Sequence, residues 1–526
     1  MEQKMQTYFG DIVRSTVDIL RFDSSLKEAE EGYPFGKETA DCLQFFLDLA
    51  ASMGFETHNY DNYVGEVVFG EGEGFAILAH LDVVPAGSGW KFPPFGGVIN
   101  DVVSDGGVEG MKIWGRGAMD DKTPAIVCLY ALKALKDEGF VPGKQIKLIV
   151  GCNEETGWKC IEHYNKVAKM PKEGFSPDAD FPVIYAEKGI VHFTTAFSLN
   201  EAPMSALKAG TRANMVCDFC ECILTRKAAE HLVGYENPIA GTTLSYDNTT
   251  NILRAYGKSA HGSTPNKGAN ALQATLCFLA SFDEDCKNAY DLLFNDVTGL
   301  KTMQDETGSL TMSPNVATFA NGVLKITTDV RYPATHTLQE VTAKLDGYGA
   351  EYTLGHTQDP LYNDPDSKLI STLMGIYNAA MGENEKPIAI GGGTYARALK
   401  NGCAFGPAMP NEEDTIHQVN EYVTFERIRF MSEMYYQAIK ELTKAEKQAT
   451  PMEEPIVETI VETVAEPVET PIAEEHAEEI KQAPVESGNK VRVAVVVGVR
   501  KCANEPMSDG KKISIASVTG KYVAKE

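Results

Sequence analysis

Residues 76–85 read AILAHLDVVP, and the reading of this stretch decides the fold. The run AILA has the composition of a buried strand, yet it ends on His80 and Asp82, just before Pro85. Residues two apart on a strand face the same side, so both polar groups stand together at the C-terminal end of that strand. Taken alone, such a pair is explained by a histidine satisfied by a neighbouring carboxylate. The segments that follow give it a setting. TPAIVCLYALKALKDEG, residues 123–139, has the pattern of a helix with lysines near its end and a glycine stop, and QIKLIVG, residues 145–151, follows as a short apolar strand. Helix alternating with strand predicts an α/β layer fold. Near residue 430, TFERIRFMSEMYYQAIKEL repeats Ile428, Met431, Tyr435, Ile439 and Leu442 at helical spacing, which predicts a helix with a core-facing stripe.

A chain of 526 residues is too long for one ordinary core. Its 43% hydrophobic and 23% charged residues are those of a soluble globular protein, and no run approaches the ~18 apolar residues of a membrane span. The start, MEQKMQTYFGDIV, has no apolar signal region, and the 11 cysteines are scattered, so a cytoplasmic protein with reduced thiols is expected. Cys217, Cys220 and Cys222 come closest to a metal pattern but lack a second ligand cluster; the other reading is small buried residues on a strand. A net charge of -26 argues against nucleic-acid or anionic-membrane partners and points to a small substrate. After Glu446 the composition changes. Residues 446–489 read as an acidic Pro/Glu/Val/Thr-rich disordered linker and 490–526 as a short basic, β-prone tail, either a tethered docking segment or a functionally silent end.

In open α/β sheets, ligands bind beyond the carboxyl ends of the strands. Polar residues recur at such places. After His80 and Asp82, WGRGAMDDKTPA carries Asp120 and Asp121 into the helix, and NEETGW carries Glu154 and Glu155 directly after a strand. SPDADFP offers Asp178 and Asp180, and EEDTIHQVNEYV offers His417. Each has a plain explanation singly, as a helix cap, a solvated surface or a hydrogen-bonded histidine. Together they form a nitrogen and oxygen ligand set suited to zinc or manganese, and a multivalent cation relieves the repulsion and desolvation of adjacent carboxylates.

The ordered runs HLDVVP, GRGAMDDK, NEETGW, SPDADFP, GKSAHGSTP and HQVNEY resemble metallopeptidase family twenty, most closely its PepV-like branch of bacterial metal-dependent dipeptidases, over roughly residues 1–445. The resemblance implies a mixed-sheet dizinc-peptidase-like α/β catalytic domain, residues 1–190 and 380–445, with an inserted α+β lid, residues 191–379. It implies two divalent ions, Zn2+ or Mn2+, bridged by Asp120, with His80 and Asp178 on one and Glu155 and His417 on the other; such a pair polarises a carbonyl and acidifies a water. Glu154 is then expected as the general base and Asp82 as the support that orients His80. The peptide bond between Asp120 and Asp121 is expected to be cis.

In the lid, the resemblance implies that His261 stabilises the oxyanion while Asn214 and Arg331 hold the free carboxylate of a dipeptide. GGGTYARAL lacks the lysine and hydroxyl residue of a phosphate loop, and the resemblance assigns Gly392, Thr394 and Arg397 to the cleft wall. Two positions depart from the family pattern, Thr123 where glycine is usual and Cys217 where proline is common, and neither supplies a ligand. The implied activity is release of the N-terminal residue of dipeptides. Two alternatives stay open: amide hydrolysis of N-acyl amino acids within the same family, and a non-catalytic binding or scaffold protein on the same fold. The enlarged lid of this branch implies a monomer.

Overall fold

The segment GFAILAH forms the strand Gly74–His80, and every residue after Gly74 in it is buried. That burial on both faces follows from its position. The computed structural model describes residues 4–101, 110–410 and 412–445, so the expected linker and basic tail lie outside the described residues. Among the described residues this strand lies inside a nine-stranded sheet, parallel to Gln145–Gly151 on one side and to Glu173–Ser176 on the other. Val64–Phe69 pairs antiparallel with Gln145–Gly151, so the sheet is mixed. Asn401–Ala404 extends it parallel to Glu173–Ser176, and Ile388–Ile390 pairs parallel with Ile184–Glu187. A strand buried on both faces has no polar face to alternate, which is why its sequence is a continuous apolar run.

The helix expected from residue 123 spans Lys122–Asp137, and the strand expected at 145–151 has those limits. Ile428, Met431, Tyr435, Ile439 and Leu442 are all buried on the helix Phe425–Thr443, which packs against Lys122–Asp137. Its N-terminus is capped by the Thr424 hydroxyl, which accepts from the N–H of Arg427 at 3.0 Å.

A second, eight-stranded sheet carries its own core, whose buried residues run from Val191 to Leu345. All its pairings are antiparallel, and the helix Ala271–Ala280 packs against several of its strands. This is the inserted lid. The chain returns to the first core earlier than residue 380. Leu369, Ile370, Leu373, Met374 and Tyr377 of the helix Lys368–Met381 are buried in the first core, and one packed helix is not divided between two cores. Cys217, Cys220 and Cys222 are buried among apolar neighbours in the lid core, as small residues, and the cysteines among the described residues are free thiols.

Candidate active site

Three parallel strands end on one edge of the first sheet. His80 is in register with Gly151, so Asp82 and the pair Glu154–Glu155 emerge side by side, and Glu173–Ser176 ends two residues before Asp178. Gly151 is required at this edge, because a Cβ there would lie 2.2 Å from the Tyr395 hydroxyl oxygen. The Tyr395 ring stands edge-on to His80, with centroids 6.1 Å apart. Asp120 comes from the loop ahead of the helix Lys122–Asp137, and the bond from Asp120 to Asp121 is cis. His417 arrives from a distant loop with φ 63°, a left-handed conformation uncommon for any residue but glycine.

One carboxylate joins the parts. Asp120 Oδ1 lies 2.8 Å from His80 Nε2, and Asp120 Oδ2 lies 2.8 Å from His417 Nε2. His417 Nε2 is also 3.0 Å from Glu155 Oε1, and His80 Nε2 is 3.5 Å from Asp178 Oδ2. Ligand atoms of His80, Asp120 and Glu155 lie within 4.8 Å of one another, as do those of His80, Glu154 and Asp178. Glu154 therefore stands among the potential ligands and not merely beside them. One of its oxygens accepts from Trp158 Nε1 at 3.2 Å.

The charges here are out of balance, which is the test of whether a cation fits. Burial raises the pKa of Glu154 well above the usual carboxylate range, and the nearby charges of Asp178 and Glu155 add to this. Burial and the charge of Asp120 likewise raise Asp178, and together they bring Glu155 up to about 7. Burial opposes a charged His417, but its hydrogen bonds to Asp120 and Glu155 outweigh that and push it up to about 11. Burial also opposes a charged His80, yet Asp178 and Asp120 raise it. The carboxylates thus recruit protons on imidazoles as counter-charge. Divalent cations supply the same positive charge, and the imidazole and carboxylate donors match zinc or manganese.

Support comes from Glu421, which the sequence did not single out, and from Asp121 and Asp82, which it did. Glu421 is fully buried, pairs with Arg116 at 2.7 Å, and accepts the backbone N–H groups of Gly117 (3.1 Å), Met119 (2.8 Å) and Asp120 (3.3 Å). It holds the loop that presents Asp120. Asp121 accepts from the N–H of His80 at 3.1 Å, while its other oxygen is buried without a partner. Glu421 lies four residues beyond His417 within HQVNE, the one local signal that could have found it. Asp82 supports His80 differently from expectation: His80 Nδ1 lies 2.9 Å from the backbone oxygen of Asp82 and 3.6 Å from its carboxylate. The carboxylate instead accepts the N–H groups of Glu154 at 2.9 Å and Glu155 at 3.1 Å, which ties two strand ends together.

In the lid, Asn214 and His261 are exposed, and the Asn214 backbone oxygen accepts from the N–H of Gly262 at 2.7 Å. Arg331 is buried and forked onto Asp329 at 2.7 and 2.8 Å, and it donates to the Gly391 carbonyl at 3.0 Å. Of the five N–H groups of a guanidinium, that leaves two for a ligand. Thr394 lines the cleft and donates through its hydroxyl to Glu187 at 2.6 Å. Arg397 is tied to Glu187 and to the carbonyls of Asp359, Lys188 and Gly392, and Gly392 adjoins the cavity residues Gly393 and Thr394, so the Arg397 guanidinium is committed to protein partners. The reason is a buried carboxylate, Glu187, that requires a guanidinium partner.

The cavity over this site has a volume of about 990 Å³. Beyond the metal-ligand candidates its charged lining residues are Asp180, Glu383, Glu385, Glu412, Glu413 and Asp414, set among apolar ones such as Phe181, Met381 and Ile390, and no lysine or arginine lines it among the described residues. Such a lining attracts an ammonium group and repels an added carboxylate.

The sequence model of the family described as "Peptidase family M20/M25/M40" matches residues 76–441. A Bacillus subtilis (strain 168) protein bearing the name "Putative dipeptidase YtjP" is 34% identical over 461 residues, 82% of this chain and 97% of that protein. A Staphylococcus aureus (strain MW2) protein named "Putative dipeptidase MW1694" is 33% identical over 479 residues, 84% of this chain and 99% of its own. In fold, the chain is similar to the crystal structure of aminoacylhistidine dipeptidase from Vibrio alginolyticus, with a TM-score of 0.50 and 13% identity over 82% of this chain and 96% of that one.

Proposed function

The chain belongs to peptidase family M20/M25/M40 and is a metallopeptidase acting on peptide bonds, and we propose that it is a dipeptidase that releases the N-terminal residue of its substrate. The observation that carries this reading is the sharing of one carboxylate, Asp120, between His80 and His417 at 2.8 Å each. His80, Asp120 and Asp178 would hold one divalent cation, and Asp120, Glu155 and His417 a second, zinc or manganese. Bound cations of this kind polarise a carbonyl and make water a better nucleophile at neutral pH. Glu154 takes the proton of the attacking water and returns it to the leaving amine, with its other oxygen held by Trp158. His261 donates to the developing oxyanion. Asn214 and the two uncommitted N–H groups of Arg331 receive the substrate carboxylate. Because Arg331 is neutralised by Asp329, that contact acts by hydrogen-bond geometry more than by net charge.

The acidic lining favours a dipeptide over an N-acyl amino acid, since a free α-ammonium is attracted there and a succinyl carboxylate is repelled. The presence of Glu154 beside a complete ligand set argues against a non-catalytic scaffold. The test compares dipeptides with their N-acetylated counterparts, before and after chelation and after reloading with manganese or zinc. The reading predicts metal-dependent cleavage of the free-amine substrates. Faster cleavage of the acetylated series would establish the amidohydrolase alternative, and a metal-loaded protein inert toward both would overturn the enzymatic reading of this site.

A further inference from the structure

His261 folds back on its own turn. Its Nδ1 lies 2.7 Å from the hydroxyl of Ser263 and receives the backbone N–H of Ser263 at 3.2 Å. An N–H can only donate, so Nδ1 must be the unprotonated nitrogen of a neutral ring, and the ring proton is on Nε2. Among the described residues Nε2 has no hydrogen-bond partner. The ring is also kept neutral: although the residue is exposed to solvent, partial desolvation against the turn lowers the His261 pKa, and the charge of Arg331 lowers it further, while Asp329 opposes them.

The turn is clamped from two sides. A Cβ at Gly262 would lie 2.4 Å from the Asp329 carboxylate, so the turn rests on the Asp329–Arg331 pair. A Cβ at Gly391 would lie 2.6 Å from that of Ser263, so Ser263 also rests on the backbone of the first core, at the point where Arg331 donates to the Gly391 carbonyl. Ile390, Gly393 and Thr394, on either side of Gly391, line the active-site cavity. Ser263 therefore stands where lid and cleft meet.

We propose that Ser263 is the positioning residue that fixes His261 as a neutral Nε2–H donor, and that Gly391 holds Ser263 in place when the lid rests on the catalytic core. The proposal deepens the dipeptidase reading and rests on it for the catalytic use of His261. It also restricts that use: Nε2 already carries the ring proton, so His261 gives a hydrogen bond there and cannot act as a proton acceptor at that atom, and its one basic nitrogen, Nδ1, is engaged by Ser263. Serine serves this purpose because its backbone and side chain converge on the same nitrogen; alanine in its place retains one of the two contacts. Thr264 N–H donates to the His261 carbonyl at 2.9 Å, which completes the turn independently of the Ser263 hydroxyl, so loss of that hydroxyl leaves the fold of the turn.

The test uses the full chain, zinc-loaded and labelled with 15N in histidine, with the His261 signals assigned by their loss in His261→Gln. The expected spectrum at neutral pH is that of the Nε2–H tautomer; an Nδ1–H tautomer in the unaltered protein overturns the proposal. Ser263→Ala is expected to lower kcat on a dipeptide by about tenfold, with KM within about twofold and metal content unchanged. Ser263→Thr, which retains the hydroxyl, is expected to recover most of that loss. Gly391→Ala, which displaces Ser263 without touching it chemically, is expected to reproduce the Ser263→Ala loss. Unchanged kcat in Ser263→Ala would refute the positioning role. The spectrum needs no turnover, so a protein that cleaves no dipeptide would sink the activity reading and leave the tautomer assignment decided on its own.

Discussion

Glu421 accepts the backbone N–H of Asp120 at 3.3 Å while its other oxygen is paired with Arg116 at 2.7 Å, so one buried carboxylate ties the proposed bridging ligand to the loop that presents it. Glu421→Ala leaves the Arg116 guanidinium buried without its partner and three backbone N–H groups unmatched. Breaking a buried pair in this way costs ~3–5 kcal/mol. Denaturant unfolding at neutral pH should show that loss, and metal affinity should fall about 10- to 100-fold, as when a support of a metal ligand is removed.

Glu154→Gln removes the proton acceptor and preserves shape. Turnover of a dipeptide should fall by at least ~10²-fold. Metal content after equilibrium dialysis should be unchanged, because Asp120, Glu155, Asp178 and the two histidines remain. Loss of a cation in this variant would instead make Glu154 a ligand, the role its position near His80 and Asp178 also permits.

Cation binding should release protons. In the cation-free protein His417, with a pKa of about 11, is charged at pH 8, and a ligating imidazole must be neutral. The proton therefore leaves as the metal enters, and affinity rises with pH below that pKa. Calorimetric titration at pH 8 in buffers of different ionisation enthalpy measures the number released. Zero protons would show that the imidazoles were already neutral.

The acidic cleft should discriminate among dipeptides by charge. With Asp180, Glu383 and Asp414 lining it, a substrate with an N-terminal lysine should be cleaved with a kcat/KM about tenfold above that of its glutamate counterpart. The ratio should shrink as ionic strength is raised from 0.01 to about 0.1 M or above, where the Debye length falls to ~10 Å. Equal rates at low salt would show that the lining does not reach the substrate side chain.

What the sequence disclosed follows from where each signal lies along the chain. Apolar runs ending in His80, Glu154–Glu155 and Asp178 read as strand ends, and parallel pairing sets such ends on one edge, so that part of the site was accessible from pattern alone. The helix ahead of residue 380 was not, because its stripe of Leu369, Leu373 and Tyr377 does not say which of two cores it meets. Glu421 meets Asp120 across about 300 residues of chain, and Glu187 claims Arg397 across a gap of about 210; neither pairing leaves a local trace. Asp82 is legible as a polar residue at a strand end, but its hydrogen bonds to the backbone of Glu154 and Glu155 are not, since they depend on register and not on residue type.

The most direct test of the account is anomalous diffraction from crystals of the full chain grown with manganese. The account predicts two manganese peaks, one against His80, Asp120 and Asp178 and one against Asp120, Glu155 and His417, with both lost in Asp120→Ala. A single peak, or two peaks that do not share Asp120, would contradict it.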